Sequence, residues 1–173
     1  FMGKGVTVAV LHNALPDAGA AISPEETGKE LIRIMADRKD EWGGASAAGV
    51  MGTGRGAAVA ALMAASSPDM IGFQVLLNPE ADETGIKDVI DCISGNAPEA
   101  YLAGEHENQF ISGICEAMEQ KNVKFVKYLH NSKDFSTWAD FPSSLFSWLD
   151  GKEYVAEEKT FSIDMTPATE ASR

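Results

Sequence analysis

The segment Ala47-Ala48-Gly49-Val50-Met51-Gly52-Thr53-Gly54-Arg55-Gly56-Ala57-Ala58-Val59-Ala60 decides how the rest of the chain is read. Its first residues are small or apolar and suit a buried strand. Glycines then alternate with Thr53 and Arg55 through a tight turn, and the alanine-rich stretch beyond suits an apolar helix. Glycine is the residue for a turn of this kind, because it takes positive φ and lets another stretch of backbone approach closely.

Working outward, strands and helices alternate. Residues 6–11 form a continuous apolar run ending at His12-Asn13, the pattern of a buried parallel strand. After the loop Pro16-Asp17-Ala18-Gly19, Ser23-Pro24-Glu25-Glu26 reads as a capped helix start, with Pro24 in the first turn and Glu26 completing a capping box. Leu31, Ile32, Ile34 and Met35 supply that helix's buried side, and Gly43-Gly44 ends it. Beyond the central segment come a strand over 71–77, a short helix over 84–93, a strand over 100–103, a helix over 108–120, a strand over 123–129 and a last helix over 143–150. Five strands separated by helices predict an α/β fold in three layers: a mostly parallel sheet of about five strands with helices on both faces. The expected organisation is one domain over 1–150 and a C-terminal tail over 151–173, polar apart from Tyr154, Phe161, Ile163 and Met165.

The turn Gly52-Thr53-Gly54-Arg55-Gly56 resembles the nucleophile elbow G-x-S-x-G of the α/β-hydrolases, and the pattern is closest to the dienelactone hydrolase branch. In that family the turn lifts a serine above the sheet; here both flanking glycines are present and the centre is Gly54. The resemblance spans residues 6 to about 149 and rests on order and spacing. Pro68-Asp69-Met70-Ile71-Gly72-Phe73-Gln74-Val75-Leu76-Leu77-Asn78-Pro79 matches the segment after the elbow helix. Tyr101-Leu102-Ala103-Gly104-Glu105-His106-Glu107 puts Glu107 where the family has its acid. Tyr128-Leu129-His130-Asn131-Ser132-Lys133-Asp134-Phe135, aligned on the aromatic, puts Lys133 where the histidine belongs. The resemblance thus implies a truncated α/β-hydrolase-like frame with a degenerate triad, Gly54, Glu107 and Lys133, and no catalytic residue. Loss of the nucleophile alone costs about a millionfold in a serine protease of similar logic.

Other chemistry has weaker footing. A weak ester or lactone hydrolase would need a displaced nucleophile, Ser46 or Thr53; Ser46 precedes the strand, and Thr53 stands one position early in the turn. His130 near Asp134 forms a base–acid pair on paper, though a histidine at a strand end more often has a structural or solvated role. Glu105, His106 and Glu107 form a loose cluster, but adjacent loop residues diverge and no second histidine has ligand spacing, so neither a metal nor a cofactor is expected. The turn has a nucleotide-binding alternative: Gly52-x-Gly54-x-x-Ala57 has Rossmann spacing, and Gly52, Gly54, Arg55 and Gly56 would hold an anion at the helix N-terminus. Against it, Leu77-Asn78-Pro79-Glu80 supplies its acid late, and the motif follows the second strand rather than the first.

Composition bounds the rest. The chain has 173 residues, 45% of them hydrophobic, enough for one sizeable core. Its formal charge of −12 and pI near 4.6 argue against a nucleic-acid surface and an acidic membrane surface, and allow a neutral or basic protein partner. Cys92 and Cys115 are too few for a disulfide framework and read as buried reduced thiols. No apolar run nears the ~20 residues that span a bilayer. The start Phe1-Met2-Gly3-Lys4-Gly5 resembles the processed beginnings of some algal plastid proteins, which keeps a plastid stroma beside the cytoplasm. These features together point to a non-catalytic structural or binding subunit of a protein assembly. The tail residues Tyr154, Phe161, Ile163 and Met165 are its expected contact. The aromatic residues Phe135, Trp138, Phe141, Phe146 and Trp148 are expected chiefly as packing under the last helix.

Overall fold

The computed structural model describes residues 8–12, 24–38, 48–130, 140–149 and 160–164. In chain order the elements are β1 (Val8–His12), α1 (Pro24–Arg38), β2 (Ala48–Thr53), α2 (Arg55–Ser66), β3 (Ile71–Leu77), α3 (Glu83–Cys92), β4 (Glu99–Gly104), α4 (Gln109–Gln120), β5 (Phe125–Leu129), α5 (Phe141–Leu149) and β6 (Thr160–Asp164). Strands β2 to β5 form one sheet in sequence order, and every neighbouring pair is parallel. This is the expected three-layer α/β architecture.

The central strands are apolar on both sides because both sides are covered. On one face Ile71, Leu76, Ala100 and Leu102 meet α2, α3 and α4. α2 is buried continuously from Ala57 to Ala65, since α1 packs on its outer side while its alanines let it lie close to the strands. On the other face Val75, Leu77, Tyr101 and Ala103 meet Phe141, Leu145 and Leu149 of α5. Trp148 sets its ring edge-on to Phe73 at 5.8 Å and tilted to Tyr101 at 5.5 Å, and the Tyr101 hydroxyl lies 2.7 Å from Ser144 Oγ. Phe141 is thus buried in the core, and Phe146 and Trp148 are half-buried and pack against it, as expected; Phe135 and Trp138 lie outside the described residues. Gln74, the buried polar residue of β3, donates from Nε2 to the Pro98 carbonyl at 3.1 Å, which satisfies its amide.

Three expectations need correction. The main sheet has four strands, and β1 is not among them. β1 pairs in parallel with β6, Val8 opposite Thr160 and His12 opposite Asp164, in a separate two-stranded sheet. The tail thus contributes a strand, because Thr160-Phe161-Ser162-Ile163-Asp164 alternates polar and apolar residues with the period of two that a strand uses. α1 is described over Pro24–Arg38, and Gly43-Gly44, expected to end it, lie outside the described residues. Cys92, read as buried, is exposed: it is the last residue of α3, whose buried residues are Gly85 and Val89. Cys115 is buried as expected.

Candidate functional site

All the turns that follow the main strands open at the carboxyl edge of the sheet, where ligand sites of open α/β sheets lie. The elbow leaves β2 there. Gly54 has φ 55 and ψ −127, the dihedral pair of the first central position in a type II′ turn. Its N–H donates to the Leu77 carbonyl at 2.9 Å, and its own carbonyl accepts from Ala57 and Glu80, each at 3.1 Å. The turn is thereby pinned to the end of β3 as well as to its own helix.

The three glycines of the elbow do different jobs. A Cβ on Gly52 would stand 2.2 Å from the Gly56 carbonyl oxygen and 2.7 Å from the Ala57 Cα, so strand and helix cross in contact and glycine is obligatory. A Cβ on Gly54 would meet nothing within 4 Å: the position opens into free space, and glycine serves it through its positive φ. Gly56 has open space and an ordinary φ, and is sterically dispensable. Arg55 and Gly56 begin α2, and their amides have no acceptor among the described residues. The nucleotide alternative named these positions, together with Gly52 and Gly54, as an anion site.

β3 ends at Asn78, a residue that sequence reasoning passed over. It holds a φ of 42, donates its N–H to Ala103 at 2.7 Å, and accepts the Glu105 amide on Oδ1 at 2.9 Å. Asparagine tolerates this left-handed backbone because its side chain bonds locally. The signal was the Asn78-Pro79 pair directly after a strand, a turn dipeptide. Asn108 repeats the device: Oδ1 caps α4 at the Ile111 amide, 2.9 Å, and Nδ2 donates to the Pro79 carbonyl at 3.2 Å. These two side chains fasten the β3 and β4 turns to each other.

Glu107 follows β4, as the acid position requires, but its carboxylate is engaged elsewhere. Oε1 accepts from Lys127 Nζ at 3.0 Å and from Ser112 Oγ at 3.3 Å, and neither partner belongs to the elbow. The Lys127 ammonium holds the carboxyl below its usual range, and the same bond raises Lys127. Strand spacing of about 4.8 Å puts the ends of β2 and β4 roughly 10 Å apart. His130 follows β5 and donates its backbone amide to Gly104 at 2.8 Å. Lys133, Asp134 and Ser46 lie outside the described residues; of the three residues expected at the triad positions, Gly54 and Glu107 are described, and both stand at the carboxyl edge of the sheet without contact between them. Thr53 ends β2 with an exposed side chain on the same side of the sheet as Met51. His106 lies exposed, with Nδ1 3.9 Å from Glu105. Among the described residues no group of three or more His, Cys, Asp or Glu side chains could hold a metal ion, and no helix is long and apolar enough to cross a membrane.

No family model and no curated protein matches the chain. The fold does match a crystal structure of a lipase/esterase from Lactobacillus plantarum. The match has a TM-score of 0.55 and 11% sequence identity, and covers 79% of this chain and 68% of that one. At that identity the likeness speaks for architecture, and the architecture of this chain is α/β-hydrolase-like.

Proposed function

We propose that this chain is a non-catalytic α/β-hydrolase-like domain, a structural or binding subunit of a protein assembly, with Gly54, Glu107 and Lys133 at the positions of a degenerate triad. One observation carries the reading: Gly54 takes the strained backbone at the head of α2, with free space above it and no side chain to fill that space. Covalent hydrolysis needs a nucleophile within reach of a base. The engagement of Glu107 with Lys127 and Ser112 supports the same reading. The dienelactone hydrolase branch remains the nearest pattern for the elbow and the segments after it, and residues 1–150 are read as the domain that carries the frame.

The test is turnover of aryl esters and of dienelactone by the purified chain, with Gly54→Ala as the blank. Equal background rates are expected. A rate that falls in Gly54→Ala would overturn the proposal. A binding role also requires a partner, and the tail, with Tyr154, Phe161, Ile163 and Met165, is the proposed contact. Removal of residues 153–173 is expected to weaken recovery of the native partners from the source extract. Unchanged recovery by a folded truncated chain would refute the tail's part in it.

A further inference from the structure

Basic charge in this acidic chain is concentrated at one place. Residues 121–133 hold four lysines and no acid, and no other acid-free stretch of that length holds more than one lysine or arginine. β5 lies within it, with Lys121 and Lys124 on the approach and Lys127 at its centre, all three exposed. Among the described residues Lys121 and Lys124 form no ion pair. Lys127 bonds Glu107, which uses one of the three N–H donors of its ammonium.

β5 is also an edge strand, paired with β4 alone among the described residues. The Lys124 carbonyl accepts from Ala100, and the His130 amide donates to Gly104, so even-numbered residues turn their backbone toward β4. Backbone direction alternates along a strand, which aims the N–H and C=O groups of Phe125, Lys127 and Leu129 away from the sheet. Apolar side chains flank that edge on both faces. Val126, opposite Tyr101, lies on the α5 face and is 36% exposed; Leu129, on the α4 face with Lys127, is 41% exposed. Lysine on an edge strand is a common device against strand addition, because an incoming apolar strand would bury the charge. Such a device is selective rather than absolute: a strand that brings carboxylates to the ammonium groups turns the repelling element into an attracting one.

We propose that the outer edge of β5 takes an extended acidic segment of a partner protein as an added strand. The partner's backbone pairs with the outward groups of Phe125, Lys127 and Leu129. Its side chains alternate, apolar ones beside Val126 and Leu129 and carboxylates beside Lys124 and Lys127. Backbone bonds supply the attachment, and the side chains supply the choice of sequence. This gives the binding role proposed above a partner chemistry and rests on that role for the partner's existence. It does not depend on Gly54, which stands at the opposite edge of the sheet.

The test titrates the isotope-labelled full-length chain with a capped decapeptide of alternating Glu and Val, and with its counterpart in which Lys replaces Glu. The Glu–Val peptide is expected to shift resonances over 124–130. At about ten times its dissociation constant it should slow exchange of the outward amides of Lys127 and Leu129 about tenfold. The Lys–Val peptide should leave them unchanged. Lys124→Glu with Lys127→Glu replaces two exposed attractions by repulsions and should weaken the Glu–Val peptide about tenfold or more. Leu129→Pro removes an outward donor and no bond to β4, so the sheet should persist while binding falls. No shift over 124–130 at about 1 mM Glu–Val peptide overturns the proposal. So does equal binding of the two peptides, or protection of Lys127 and Leu129 that rises with chain concentration alone, which would put a second copy on the edge. Ester turnover is a separate readout, so failure here leaves the reading of Gly54 standing, and the reverse.

Discussion

Gly52, Gly54 and Gly56 look alike in the sequence, and the structure separates them by steric cause. Gly52→Ala drives a methyl group into the Gly56 carbonyl and should cost at least about 2 kcal/mol, with strand and helix forced apart. Gly54→Ala meets no atom, and its cost is that of the II′ backbone, which L-residues rarely adopt, about 1–3 kcal/mol. Gly56→Ala should be neutral or stabilising by up to ~1 kcal/mol, as usual for glycine replaced within a helix. Urea melts of the three variants check the order, and a Gly52→Ala chain as stable as Gly56→Ala would contradict the crossing at the elbow. The Glu107–Lys127 pair makes a pH prediction. The lowered carboxyl supports the fold above the ordinary glutamate range and loses that support as pH falls through the folded value. The difference in urea midpoint between wild type and Lys127→Met should therefore shrink as pH drops from about 5.5 to about 2.5; both groups are exposed, so the difference is small throughout. The position of Glu107 after β4 was legible in the sequence. Its attachment to Lys127 was not, because twenty residues separate the pair and nothing in the spacing reports that β4 and β5 are neighbours.

At the scale of elements, regular structure was legible wherever burial enforced a pattern. β3 falls on 71–77 as read, since it is apolar on both sides and Asn78-Pro79 stops it. α3 and α4 begin where Asp82 and Asn108 cap the amides of Gly85 and Ile111. Replacement of either cap by alanine should cost about 1 kcal/mol in chemical denaturation. β6 is hard to read from the sequence because Phe161 and Ile163 alternate over only five residues of a polar tail, and because its partner β1 lies at the far end of the chain. The cysteines show the same limit. Both were expected inside; Cys92, at the end of α3, is exposed, and Cys115, within α4, is buried. Burial also pushes the Cys115 thiol up. Iodoacetamide at pH 8 should therefore alkylate Cys92 in the native chain and reach Cys115 after denaturation, and equal rates at the two would contradict the packing of α4.

On the scale of the whole molecule, a hydrolase-like frame surrounds a tight turn whose centre, Gly54, carries no side chain. The sheet, its two apolar faces and the pinned turn do not depend on chemistry at residue 54. A glycine there relieves the backbone strain that a serine would carry. Under the proposed reading the frame serves contact rather than turnover, and the acidic surface and the tail are then where that contact is sought. The sequence told most about the frame and least about the site, since the frame depends on periodic burial and the site on where loops end. The most direct measurement is intact mass after exposure of the full-length chain to a fluorophosphonate probe, which reports any serine or threonine activated for attack. An unmodified mass is expected. A stoichiometric adduct on Thr53, Ser46 or any other hydroxyl would show a working nucleophile and contradict the account.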